Sequence, residues 1–115
     1  MKTQEHLLQV QCVNWFRWQY PKELIYAIPN GGQRNIITAK KLKAEGVTAG
    51  VPDLFVAAAC GGYNGIYIEL KNGKQGIVSE SQKKIIAHLQ KKGYEVVISR
   101  SFEDFVSTIN AYLSL

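Results

Sequence analysis

The sequence predicts an α/β fold, a mixed central β-sheet flanked by α-helices, on three observations. Stretches with apolar residues at helical spacing alternate with short β-branched or aromatic runs. Leu54–Ala59 and Ile66–Lys71 flank a glycine-rich turn, Cys60-Gly61-Gly62-Tyr63-Asn64-Gly65, which is the pattern of a β-hairpin. A further run, Tyr94–Ser99, follows Ile66–Lys71 across a helical segment, and such a βαβ unit should be parallel and right-handed. No repeat, low-complexity tract or linker divides the chain. Its 115 residues, 46% of them hydrophobic, can bury a core without staples, so residues 1–115 read as one domain.

Thr3–Tyr20 reads as the first helix, with Thr3 as N-cap and Pro21 as the stop. Glu5, Gln9, Cys12 and Phe16 share one stripe of it. Leu7, Leu8, Val10, Val13, Trp15, Trp18 and Tyr20 leave little polar circumference, so burial on several sides is expected, partly against a second copy of the chain. Leu24–Ile28 is a short extended segment, and Pro29–Arg34 is a turn-forming loop. Asn35 or Thr38 can cap a helix that runs to about Glu45 and stops at Gly46; its Lys40, Lys41 and Lys43 read as a solvated face. After the hairpin, Lys71–Gly76 is a cationic loop. Ser79 with Gln82 three residues on is a capping-box pattern, and Gln82, Ile85, Ile86 and Leu89 put one helix face on the sheet. Gly93 ends that helix. Ser101, with Asp104 three residues on, caps a last helix whose apolar face is Phe102, Phe105, Val106, Ile109 and Leu113.

Folding a hairpin brings its outer ends together, so Asp53 returns near Glu69 and Lys71. Side chains alternate along a strand: Tyr67, Glu69 and Lys71 share one face, and Ile66, Ile68 and Leu70 face the core. Two hard oxygen ligands suit Mg²⁺ or Mn²⁺, and a lysine beside them can orient a water or stabilise charge on a phosphorane. Taken singly, Asp53 is compatible with a strand-start turn and Glu69 with a strand glutamate paired to Lys71. Glu69 nevertheless sits in an apolar strand, where an unpaired charge is costly. The face of Asp53 relative to Glu69 depends on the hairpin register, which the long turn leaves open.

Pro52-Asp53 followed by Glu69-x-Lys71 resembles the signature of the PD-(D/E)XK nucleases. Asn30-Gly31-Gly32-x-Arg34, Lys43-x-Glu45-Gly46-Val47, Gly50-Val51-Pro52-Asp53-Leu54, Ile68-Glu69-Leu70-Lys71, Ser79-x-x-Gln82 and Gly93-Tyr94-x-Val96 occur in that order. This series resembles the VRR-NUC (virus-type replication-repair nuclease) family, from about Glu5 to Leu113. The resemblance implies a PD-(D/E)XK nuclease-like core and a metal-dependent DNA endonuclease that hydrolyses phosphodiester bonds. It places Mg²⁺ or Mn²⁺ on Asp53, Glu69 and the carbonyl of Leu70, with Lys71 addressing the attacking water. It makes Gln82 an active-site amide as well as a cap. It turns Glu5 toward the metal, where composition alone offers a helix-dipole role. Arg34 and Lys74, in glycine-rich loops, and Asn30 are the candidates for nucleic-acid contacts. Compact members resemble phage-borne enzymes, and some act as homodimers on four-way (Holliday) junctions. Branched DNA is therefore the implied partner, in replication, recombination or repair.

A formal net charge of +5 and a pI near 9.3 favour an anionic partner. Cys12 and Cys60 lie in unrelated segments, which argues against a zinc site or a disulfide framework. No apolar run approaches the roughly 20 residues of a membrane span, and residues 1–5 lack a signal-peptide core. A cytoplasmic location is expected, that of the host if the chain is phage-encoded. Two other classes compete. One is a non-catalytic DNA-binding module of a replication or packaging assembly, against which the intact Asp53, Glu69 and Lys71 set argues. The other is a protein-interaction subunit using the aromatic first helix, for which divalent ions should leave stability unchanged.

Overall fold

In the computed structural model, which describes residues 2–29, 36–73 and 76–115, the hairpin is the middle of the sheet. Its strands are β2 (Leu54–Val56) and β3 (Ile66–Leu70). β1 (Ile25–Ala27) adds to β2, and β4 (Glu95–Ser99) adds to β3. The first three strands are antiparallel, whereas β4 runs parallel to β3, as a crossover through a helix requires. That crossover is α3 (Glu80–Lys91). The other helices are α1 (Lys2–Gln19), α2 (Ile36–Ala44) and α4 (Phe102–Leu113). The fold is the mixed α/β sheet with flanking helices that the sequence predicts.

Alternation along the hairpin decides where the core sits. Ile66, Ile68 and Leu70 point to one face with Leu54 and Val56, and all five are buried. Cys12 and Phe16 of α1 and Phe105, Ile109 and Tyr112 of α4 close over them. Burying each large side chain contributes about 1.5–3 kcal/mol relative to exposure. The Glu5, Gln9, Cys12, Phe16 stripe is thus the inward face of α1, which packs on α4, β1 and β3. The outer side of α1 leaves Leu7, Val10 and Trp18 in solvent, Trp18 at 78% exposure. α3 lies along β4 with Ile85, Ile86 and Leu89 half-buried. Lys40, Lys41 and Lys43 of α2 are exposed, and none of its residues is buried.

Several boundaries differ from expectation: α1 ends at Gln19, β1 spans Ile25–Ala27 and β3 ends at Leu70, each a residue inside the expected range, and three others differ in kind. α1 begins at Lys2, so Thr3 lies inside the first turn and is not its N-cap. β2 ends at Val56 rather than Ala59. Ala57, Ala58 and Ala59 lack the branched or aromatic surface that holds a strand in its ladder. Tyr94 precedes β4 and instead closes the end of α3 by donating its N–H to the Leu89 carbonyl, 3.1 Å away. Ser79 and Ser101 cap α3 and α4 as expected, their hydroxyls accepting from Gln82 and Asp104 N–H groups. Among the described residues no helix is long and apolar enough to cross a membrane.

Candidate active site

The register answers what the turn left open. Leu54 pairs with Ile68 and Phe55 with Tyr67, so one step further out Asp53 stands opposite Glu69. Directly opposed residues of an antiparallel pair share a face, so the two carboxylates project together on the side away from the core. Asp53 is held from both neighbouring strands. Its Oδ2 accepts from the Leu70 N–H at 2.8 Å, and its carbonyl accepts from the Ile28 N–H at 2.8 Å. The preceding Pro52 is buried.

Glu69 is only 6% exposed. Its Oε2 accepts from Gln82 Nε2 at 2.7 Å and lies 3.3 Å from Lys71 Nζ. Lys71 Nζ also donates to Gln82 Oε1 at 3.3 Å. Gln82 completes the α3 capping box, its Oε1 accepting from Ser79 N–H at 2.9 Å. A backbone N–H can only donate, so the cap turns Oε1 toward Ser79 and leaves Nε2 for Glu69. One amide therefore fixes the helix start and orients the carboxylate.

Burial pushes both acids up, and their proximity adds to it. Glu69 is raised to about 7, first by loss of water and then by the Asp53 charge, with Lys71 and Gln82 opposing. Asp53 is raised chiefly by burial, against the pull of the Leu70 N–H. The Glu5 charge raises it further. Glu5 is half-buried on the inward stripe of α1, near enough to be felt by Asp53. Among the described residues no three His, Cys, Asp or Glu side chains converge as a metal cluster, and what reaches Asp53 from Glu5 is its charge.

Two close approaches shape the surroundings. Gly50 has φ +92°, and a Cβ there would lie 2.7 Å from the Ser81 carbonyl oxygen. The loop leading into Asp53 thus presses on the first turn of α3. A Cβ on Gly76 would lie 2.7 Å from Lys71 Cδ, so the glycine lets the backbone run against the lysine stem. Arg100 Nη1 donates to the carbonyls of Gly73 and Gly76 at 3.0 and 2.9 Å and ties both glycines to the residue that follows β4.

A family model described as the VRR-NUC domain matches residues 1–103. The chain belongs to the VRR-NUC family. A solved structure described as a VRR_NUC domain protein superposes with a TM-score of 0.83 at 32% identity, covering 96% of this chain and 88% of that one. No curated protein matches. A VRR-NUC domain is a nuclease domain in general, and Asp53, Glu69 and Lys71 come together where its Pro-Asp and Glu-x-Lys motifs predict. Gln82 joins them, and the Leu70 N–H donates to Asp53. Asn30, Arg34 and Lys74 lie outside the described residues. Arg100 and Gly76 had no signal in the sequence, because both act through backbone contacts that exist only once β4 has paired.

The donor set fits a hard divalent cation. Two raised carboxylates facing one another are relieved by positive charge between them, and oxygen donors select Mg²⁺ or Mn²⁺ over softer metals. A site with only two carboxylates suits an ion that keeps several waters and shares its shell with phosphate oxygens.

Proposed function

We propose that this VRR-NUC protein is a Mg²⁺- or Mn²⁺-dependent DNA endonuclease that resolves branched DNA such as four-way junctions as a homodimer. The observation that supports it best is the register that sets Asp53 opposite Glu69, with Lys71 Nζ 3.3 Å from the Glu69 carboxylate. Asp53, Glu69 and the Leu70 carbonyl would hold the ion. The chemistry it supplies is charge screening at the scissile phosphate and a lowered pKa for a water. Gln82 keeps the Glu69 carboxylate aimed inward. Lys71 presents its ammonium beside that carboxylate, where it can orient the attacking water and stabilise charge on the phosphoryl oxygens. Charge of +5 gives the phosphate backbone a partner, so binding should weaken with salt. The exposed Leu7, Val10 and Trp18 side of α1 supports self-association, and a twofold pair of sites suits two cuts in a symmetric junction.

The test is cleavage of an end-labelled four-way junction beside a linear duplex of matching sequence, with Mg²⁺, Mn²⁺ or EDTA. Paired cuts in the junction that vanish with EDTA and with Lys71→Ala are expected. Cutting of both DNAs alike would remove the junction preference. Retained binding without cutting would leave a DNA-binding module.

A further inference from the structure

The face that carries the two acids also carries a row of aromatic rings. Tyr26, Phe55 and Tyr67 are paired neighbours on β1, β2 and β3, and Tyr94 stands at the entry to β4. Ring centroids are 5.7 Å apart for Tyr26 and Phe55, 4.4 Å for Phe55 and Tyr67, and 5.4 Å for Tyr67 and Tyr94. Tyr26, Phe55 and Tyr67 thus run across three strands, and Tyr94, two residues before the Val96 that pairs with Tyr67, continues the row off that line. The Asp53–Glu69 row lies two residues further along the same strands, a step of about 6.5 Å. That is the scale of one nucleotide.

This row is not covered as the opposite face is. Tyr26 is 42% exposed, and Phe55, Tyr67 and Tyr94 are half-buried. A cleft of about 440 Å³ opens between Tyr26 and Tyr67 on one side and Val47 and Val51 on the other. Its size is that of a small-ligand site, and Val51 leads directly into Pro52-Asp53. Glu45 also lines it. A carboxylate there opposes phosphate and leaves the cleft to a neutral, flat group. Partly exposed rings beside the Asp53–Glu69 pair suit a nucleobase, because every base has a π-face to stack whatever its sequence.

We infer that the Tyr26–Phe55–Tyr67–Tyr94 row and its cleft bind an unpaired nucleobase of the strand whose backbone lies at Asp53, Glu69 and Lys71. Its placement beside the scissile phosphate rests on the nuclease reading above. Only a base outside a duplex can enter, so the site selects DNA in which pairing is interrupted next to the cut.

The experiment is carried out with the full chain in EDTA, where binding is read without cleavage. The probes are a duplex and the same duplex with a short unpaired stretch carrying 2-aminopurine. Wild-type protein should bind the second at least tenfold more tightly and quench its fluorescence. Tyr26→Ala and Tyr67→Leu should each lose that preference and the quench while keeping wild-type duplex affinity. Tyr26→Phe, which keeps the ring, should retain both. Equal affinity of wild type for the two DNAs, or variants that keep the preference, would overturn the site. So would a change of Tyr26→Ala from dimer to monomer in sedimentation, which would make this face a contact between copies. Cleavage by wild type without the unpaired preference would sink this inference alone. The preference without cleavage in Mg²⁺ or Mn²⁺ would sink the nuclease reading and leave the base site standing.

Discussion

Glu69 keeps a proton well above the pH at which a solvated glutamate loses it, and that has a signed consequence for stability. Its folded value of about 7 exceeds its ordinary 4.5, so the native state binds a proton that the unfolded chain has released. This pair should therefore make metal-free protein lose melting temperature as pH rises from about 4.5 to about 7, and level off above that. Mn²⁺ should reverse the trend, adding stability only where the acids are ionised. Melts in EDTA and in Mn²⁺ across pH 5–8 check both slopes; a metal-free melting temperature that rises with pH would contradict the buried pair. Gln82→Glu separates the two duties of that side chain. The new carboxylate can still accept from the Ser79 N–H, but it faces Glu69 where an amide donated. Stability should match wild type near pH 6 and fall by roughly 1 kcal/mol at pH 8, read by urea melts. The acids, Lys71 and Gln82 were legible because each belongs to a short local pattern. Glu5 was legible as an inward residue, but its distance from the pair depends on how α1 crosses the sheet, which no local spacing encodes.

At the level of elements, β4 carries a defect that can be measured. Ser99 is fully buried beside Leu70, and its Oγ has no hydrogen-bond partner among the described residues. Removing an unsatisfied buried hydroxyl relieves its desolvation cost, so Ser99→Ala should raise stability by about 1 kcal/mol in denaturant melts. A loss of similar size would show that the hydroxyl is satisfied in solution. The caps at Ser79 and Ser101 and the inner stripes of α1 and α4 were readable, since capping and helical spacing are properties of a few residues. Strand ends were not. Val56 ends β2 because Ala57–Ala59 offer nothing to hold, yet the same alanines extend an apolar run on paper. The β2–β3 hairpin and the parallel β3–β4 pair followed from connection rules, but the place of β1 beside β2 and the single register that opposes Asp53 and Glu69 needed the structure.

For the whole molecule, the open side of α1 bears on assembly. Trp18 at 78% exposure and Leu7 at 60% are large apolar groups in solvent. If they form the homodimer surface, Trp18→Ser should shift sedimentation from dimer to monomer while changing monomer stability by less than about 0.5 kcal/mol, as surface substitutions do. Paired junction cuts should then become single nicks; an unchanged mass would move the interface elsewhere. The contact of α1 with α4 has a further consequence, in time rather than space. The Tyr20 hydroxyl bonds to Asn110 across 90 residues of chain. A ribosome needs roughly 5–20 s to lay down that many. Through that interval Cys12 and Phe16 have no lid, and β3 lacks its β4 neighbour. The hairpin alone opposes the two acids, but the core beneath them is closed only after α4 has emerged.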